Sequence, residues 1–358
     1  MSLKRVLIFL LILTCAFSLC SCSGRNMKRV SVLYSSYKDD YINSVRSNLD
    51  REFADDNNIN FQNYSADWDG TVQLSQVQEA IDNGTDILIV NSADISSDGS
   101  AKDIAELAKE ASIPLIFFNR PVDREVVESH SKCVLISIDY EVAGRMQGDM
   151  IGQYLLDNYD LTDLNKDGKI SYVMYMGEKD NIDAQKRAKY CIESTDAILA
   201  KDGKPAIEHY DSSYEDGYVS DSSGMWSSDF GMEHMTEVLA NHSEAVGNMP
   251  ELVIAGNDAM ALGAIEALKK QGYNTGKGNR TIPVFGIDAT TSAQNSIYAG
   301  IMTGTVYQDS GEMADVIVTV MENLLSGKER FDDIKSSLIE DNWKINIPLR
   351  EYRGRKNM

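Results

Sequence analysis

The densest run of chemistry-bearing residues is Asp163-Leu-Asn165-Lys-Asp167-Gly168-Lys169-Ile-Ser171. Oxygen-bearing side chains stand at positions 1, 3 and 5 and a glycine at position 6, the spacing that wraps a chain around a hard cation such as Ca2+. Lys169 would offer its backbone carbonyl, and Ser171 a hydroxyl or a held water. Position 12 is Met174, and a thioether does not close a site for a hard ion, so a further carboxylate must come from elsewhere. An apolar, strand-like run follows the loop, which excludes a helix-loop-helix calcium site.

A second set of polar residues follows the apolar runs: Asp39 and Tyr41, Asn91, Asp183 and Arg187, Asn257 and Asp258, and Asp288. In an open α/β sheet the ligand sits beyond the carboxyl ends of the strands, where these residues fall. Carboxylates and carboxamides there suit a ligand rich in hydroxyls, because planar groups engage neighbouring hydroxyls in pairs. The same residue types also cap the helix that follows a strand, and Asp258 is read as such a cap. Asp183 and Arg187 are four apart on one helix and are expected to project together. The four histidines, His130, His209, His234 and His242, lack metal-ligand spacing and are read as solvated surface residues. There is no nucleophile elbow, HExxH, Walker loop or dinucleotide fingerprint. A secreted carbohydrate-active enzyme would need two carboxylates, from among Asp39, Asp183 and Asp288, flanking a scissile bond at a defined separation.

Such residues need a scaffold. Short apolar runs at 29–34, 86–90, 114–118, 133–138, 170–176, 251–255 and 282–287 read as strands. Amphipathic stretches at 41–54, 73–83, 101–111, 141–157, 182–199, 258–270 and 310–325 read as helices. The alternation implies an α/β architecture of doubly wound parallel sheets, and the length of 358 residues asks for two of them. A boundary is expected after PLIFFNRPVD, where Pro121 breaks the pattern, with the chain crossing back at GTVYQD and once more near NWKI. The expected division is therefore 29–119 with 309–338 as the first lobe, 120–308 with 339–352 as the second, carrying the loop at 163–171, and 353–358 as a tail. A Ser/Gly/Asp-rich stretch at 211–229 reads as a long surface loop.

The chain carries 55 Asp and Glu against 34 Lys and Arg, a formal net charge of −21, which excludes a protein that coats nucleic acid. Its first residues, 1–21, form a short basic start and the apolar run VLIFLLILTCAFSL, which has the form of a secretory signal and is too short for a stable membrane span. The junction Leu19-Cys20-Ser21-Cys22 resembles a bacterial lipobox. Cys22 is read as the acylated first residue of a linker at 22–28, and the protein is expected on the extracytoplasmic face of the cell membrane, held by lipid and not by charge. Cys133 and Cys191 lie in apolar contexts and are expected to be packed free thiols.

Beyond these readings, SYKDDYINSVR, PLIFFNRP, the loop followed by GEKDNIDAQKR, ELVIAGNDAMALGAIEALK, IPVFGIDA, GTVYQD and NWKI together resemble the calcium-containing galactose/glucose-binding proteins of bacterial ABC transporters. These are type I periplasmic binding proteins, and the resemblance spans nearly all of the chain after the signal. It implies two lobes joined by hinge segments and a non-enzymatic, monomeric receptor for a monosaccharide, with an ABC permease as partner. A chemoreceptor or sensor kinase is the alternative partner. It also implies sugar contacts at Asp39, Asn91, Asp183, Arg187, Asn257 and Asp288, stacking aromatics at Tyr41 and Trp226, and Glu251 as the carboxylate that completes a structural Ca2+ site. Three positions depart from the family pattern: Asn181 in place of His, Gln308 in place of Asn, and Ser171 in place of a Gln calcium ligand.

Overall fold

The computed structural model describes residues 27–95, 99–276 and 280–354. The signal, Cys22 and the end of the tail lie outside them. Among the described residues no helix is long and apolar enough to cross a membrane.

Four βα steps and a fifth strand open the chain: β1 (Lys28–Tyr34), α1 (Asp40–Asp55), β2 (Ile59–Ser65), α2 (Gly70–Asp82), β3 (Ile87–Val90), α3 (Ser100–Glu110), β4 (Leu115–Phe118), α4 (Arg124–Glu128) and β5 (Cys133–Ser137). ILIV, LIFF and CVLIS are buried along their whole length, as strands covered on both faces must be. The chain then builds a second body from α5 (Tyr140–Thr162), β6 (Ser171–Met176), α6 (Ile182–Lys201), β7 (Glu208–His209), β8 (Val219–Ser220), α7 (Ser228–Asn241), β9 (Leu252–Ala255), α8 (Asp258–Lys270), β10 (Val284–Asp288), α9 (Thr291–Tyr298) and β11 (Gly304–Gln308). It closes with α10 (Ser310–Ser326), β12 (Ile339–Glu340), β13 (Lys344–Asn346) and β14 (Leu349–Tyr352).

The first sheet has the order β12-β13-β5-β4-β3-β1-β2, and the second β14-β11-β10-β9-β6-β7 with β8 also beside β6. Pairing is parallel except where β12 meets β13 and β14 meets β11. Two apolar layers flank the first sheet, one under α1 and α10 and the other under α2 and α3. Two more flank the second, under α7 and α8 and under α5 and α6. The expected two-lobed, doubly wound α/β architecture is present.

The boundary differs from the expected one. Pro121 does end β4, but Cys133–Ser137 pairs in parallel with β4 on one side and β13 on the other, so residues 120–137 complete the first lobe. By the same pairing, 339–346 belong to the first lobe, and of the closing segment only β14 joins the second. The crossings run through Ile138 and Asp139, through Asp309, and through Ile347 and Pro348. The apolar run of β5 was legible as a strand, yet its sheet is decided by a partner strand some two hundred residues away. Two further expectations change. His130 is buried against the Ile113 carbonyl at 2.8 Å, and His209, His234 and His242 gather around the Tyr210 ring, with centroids at 4.8, 6.4 and 5.1 Å. These histidines are packing residues, not solvated ones. Residues 211–229 are not simply a surface loop, since β8, the buried Asp221 and the start of α7 lie within them. Cys133 and Cys191 are buried free thiols, one in each lobe.

Candidate functional site

The residues that follow the strands converge from both sheets on a pocket of about 60 Å3 between the lobes. From the first lobe come Asp39, Tyr41, Asn119 and Arg120, and from the second Asn181, Arg187, Trp226, Asn257 and Asp288, with Tyr140 and Gln308 at the crossings. Capping and lining are combined in several of them. Asp39 accepts the Ile42 N–H at 2.9 Å at the start of α1, Asn181 the Ala184 N–H at 2.9 Å on α6, and Asn257 the Met260 N–H at 2.9 Å on α8. The cap fixes each side chain at the mouth of its βα turn, which is the pocket wall. Asp258 is not the cap of α8. It lies fully buried, accepting the Thr305 hydroxyl at 2.6 Å and the Thr290 N–H at 2.7 Å.

Trp226 is 8% exposed and supplies one wall. Its ring rests on bare backbone: a Cβ on Gly177 would stand 2.0 Å from the ring and one on Gly256 3.1 Å. The indole N–H donates to Glu178 at 3.3 Å, the carbonyl accepts from the Asn257 amide at 3.0 Å, and the Arg187 guanidinium lies 5.0 Å over the ring. Arg187 is placed by close helix packing, because Gly144 of α5 approaches so nearly that a Cβ there would meet the Arg187 carbonyl at 2.4 Å. Arg187 makes no ion pair among the described residues, and its Nε has no partner. The Tyr41 hydroxyl and Gln308 Nε2 are likewise buried and have no hydrogen bond of good geometry, although the two side chains are neighbours. Three buried polar groups facing one enclosed space ask for a polar ligand, since each costs about 1–3 kcal/mol if left unmade.

Electrostatics point the same way. Asp39, Arg187 and Asp288 are part-buried and line the pocket between the lobes. Desolvation pushes the Asp288 carboxyl well above its ordinary range, helped by the nearby Asp258 and Asp39 and opposed by Arg187. Desolvation also raises Asp39 and lowers Arg187. A carboxyl held toward its protonated form both donates and accepts, as hydroxyl partners require. Asp288 has φ +117° and Ala289 φ +55°, so β10 ends in a strained turn at the pocket wall.

Two expected contacts are placed elsewhere. Asn91 is wholly buried behind the pocket, where its Oδ1 accepts the Ser35 hydroxyl at 2.6 Å and its Nδ2 donates to the Phe118 carbonyl at 3.1 Å. Asn119, at φ +64° directly after β4, takes the lining position. Asp183 and Arg187 do not act together: Asp183 pairs with Lys186 at 3.3 Å and lines a larger adjoining cavity. Sequence reasoning also passed over Arg120 and Glu178, whose side chains meet across the cleft at 2.5 Å, and over Tyr140, whose hydroxyl donates to the Asn119 carbonyl at 2.5 Å. The placement of Asn119 and Arg120 just beyond β4 was a signal available to find them.

At the loop after α5, Glu251 does reach the 163–171 segment. Its carboxylate accepts the Asn165 N–H at 2.7 Å and the Ser171 N–H at 2.9 Å, while Asp163 accepts the Asp167 and Gly168 N–H groups at 3.2 and 3.1 Å. The Asn165 amide is turned to Met249, accepting its N–H at 2.8 Å. Lys169 pairs outward with Glu208 at 2.7 Å, so no cation offsets Glu251, whose pKa is raised by burial. The donors fit calcium in kind, oxygen-rich and short of positive charge. They are not drawn around one point, and among the described residues no three acidic, His or Cys side chains form a metal cluster.

Residues 30–329 match the model of the periplasmic binding protein domain. The chain is 30% identical over 310 residues to the D-galactose/methyl-galactoside binding periplasmic protein of Haemophilus influenzae, covering 87% of this chain and 85% of that one. It is 25% identical over 266 residues to the D-xylose-binding periplasmic protein of Escherichia coli, covering 74% and 68%. Among solved structures, a solute-binding protein from Bacillus halodurans with bound myo-inositol superposes with a TM-score of 0.68 at 24% identity, covering 92% of this chain and 96% of that one. One from Clostridium phytofermentans with bound β-D-glucose gives 0.70 at 17% identity, covering 91% and 94%. Two α/β lobes, three crossings and a ligand-sized pocket between them agree with that match: the chain belongs to the periplasmic binding protein family, in its type I form, and is a binding protein, not an enzyme.

Proposed function

We propose that this protein captures a hexose, glucose or galactose, in the interlobe pocket and delivers it to an ABC permease from the extracytoplasmic face of the membrane, anchored through Cys22. The observation that carries the reading is the gathering of the buried Tyr41 hydroxyl, Arg187 Nε and Gln308 Nε2 with Trp226 around one interlobe pocket of about 60 Å3. On that measure the space holds roughly four to six waters, the room of one small polyol. Apolar C–H faces stack on the ring while hydroxyls meet Asp39, Asn119, Asn181, Asn257 and Asp288. The Haemophilus influenzae relative, named for galactose and methyl-galactoside, supports the hexose class. A Ca2+ ion held by Asp163, Asn165, Asp167, the Lys169 carbonyl, Ser171 and Glu251 would brace the second lobe at a distance from the sugar.

Calorimetric titration with a panel of monosaccharides tests this. Charge-assisted hydrogen bonds are worth about 1.5–3 kcal/mol each, so Arg187→Ala is expected to weaken the best hexose at least about tenfold. Arg187→Lys is not expected to restore it, because the planar fork is lost. Trp226→Ala is expected to weaken binding and to remove any sugar-induced fluorescence change. Unchanged affinity in both alanine variants would place the ligand elsewhere.

A further inference from the structure

The closed pocket is not the whole of the cleft. Beside it lies a cavity of about 770 Å3, within the size range of sites for drug-sized ligands, walled by both lobes. Pro121 and Tyr140 line both spaces, which therefore adjoin there. Helix α6 passes both, presenting Asp183 to the larger space and Arg187, one turn on, to the smaller. Opposite, in the first lobe, stands Trp343. Its indole N–H is buried without a partner, and its ring lies near two cations, the Arg124 guanidinium at 5.9 Å and the Lys344 ammonium at 6.0 Å. An aromatic face holds the flat C–H surface of a sugar ring, and the indole N–H at its edge lacks the partner that a hydroxyl could supply. Acidic side chains outnumber basic ones around this cavity, so an anionic occupant is disfavoured.

We infer that the larger cavity is a second subsite, and that the preferred ligand class extends to neutral glycosides: a hexose in the closed pocket, joined past Tyr140 to a second sugar ring that stacks on Trp343. The inference rests on the hexose reading and goes beyond it, since a free monosaccharide fills only the smaller space. Because the subsite has walls in both lobes, the second ring would also contribute to closing the cleft.

The test is calorimetry of the purified protein with free galactose and glucose, with lactose and melibiose, and with maltose and cellobiose. At least one disaccharide should bind within about tenfold of its free hexose. Trp343→Ala should weaken that disaccharide at least about fivefold while changing the free hexose less than about twofold, and Trp343→Phe, which keeps a ring and loses the N–H, should fall between. Tight free-hexose binding with none of the four disaccharides bound overturns the subsite, as does an equal loss for both ligands in Trp343→Ala. Failure of the free hexoses in the wild-type chain overturns the hexose reading instead, and is visible in its own arm of the experiment.

Discussion

The Arg120 guanidinium, in the first lobe, lies 2.5 Å from the Glu178 carboxylate, in the second, and both side chains are largely out of water at 7% and 17% exposure. Glu178 also accepts the Asn181 amide at 3.1 Å and the Trp226 indole N–H, so this interlobe pair is tied to the pocket wall. Arg120 in turn lies 5.0 Å over the Trp68 ring.

Removing one partner of a largely buried pair strands the other charge and costs more than the pair itself contributes. Arg120→Ala is therefore expected to lower sugar affinity by about tenfold, or 1.4 kcal/mol, and to open the ligand-free protein. Calorimetry and the radius of gyration from X-ray scattering check this. A Glu178→Gln partner variant isolates the pair energy through a double-mutant cycle. A variant as compact and as tight-binding as the wild type would show that the pair plays no part in closure.

Asn91 and Asn119 make opposite predictions. Asn91→Ala removes three buried hydrogen bonds around Ser35 and Phe118, so the melting temperature should fall by several degrees while the folded protein keeps its sugar affinity. Asn119→Gly, which keeps the left-handed turn and removes the carboxamide, should leave the melting temperature near that of the wild type and weaken binding severalfold. Thermal melts and titrations of both variants decide, and the reverse pattern would return Asn91 to the site.

A calcium ion that binds only the folded state raises stability with the logarithm of its free concentration. Added calcium should thus raise the melting temperature, chelation should lower it, and Glu251→Ala should abolish the response while hexose affinity changes by no more than about a factor of a few. Metal-free protein whose melting temperature ignores calcium would count against the site.

Asp258 supplies a pH signature. Desolvation pushes its carboxyl up to about 7, against the pull of the Thr305 and Thr290 donors. The folded chain thus keeps a proton that the unfolded chain releases near pH 3.9. This contribution is fully present below about pH 4 and is lost as the pH rises through about 7. His209 and His234, lowered by desolvation, act with the opposite sign: they stabilise above about pH 6.5 and the benefit fades as the pH falls. Asp258→Asn should reduce the first dependence, leaving the part that the neighbouring Asp288 and Asp39 contribute with the same sign, and should leave the second unchanged. Urea unfolding at pH 5 and pH 8 measures it, and identical pH profiles for variant and wild type would refute the assignment.

The fold was largely legible because ILIV, LIFF, CVLIS and LVIA are uninterrupted apolar runs, which only strands covered on both faces need. INFQNYS of β2 escaped because an edge strand alternates and half its side chains are polar. At the pocket, ILIV-Asn91 and LIFF-Asn119 present the same local pattern, and which carboxamide faces the cleft is settled by the left-handed turn at Asn119 and by the Ser35 contact on Asn91. Trp226 was legible as an aromatic, but the bare backbone of Gly177 that seats it is a tertiary fact. Arg120 and Glu178 are 58 residues apart and meet only because two separate βα turns face each other.

The three crossings also set an order of assembly. The first lobe begins with β1 but is finished only when α10 lies against α1 and β13 zips onto β5, so its core stays open until nearly the last residue has been made. Contacts of such long sequence separation are slow to form. A chain built this way cannot close its first core from its N-terminal half alone, and the lobe is committed only once the chain has returned from the second.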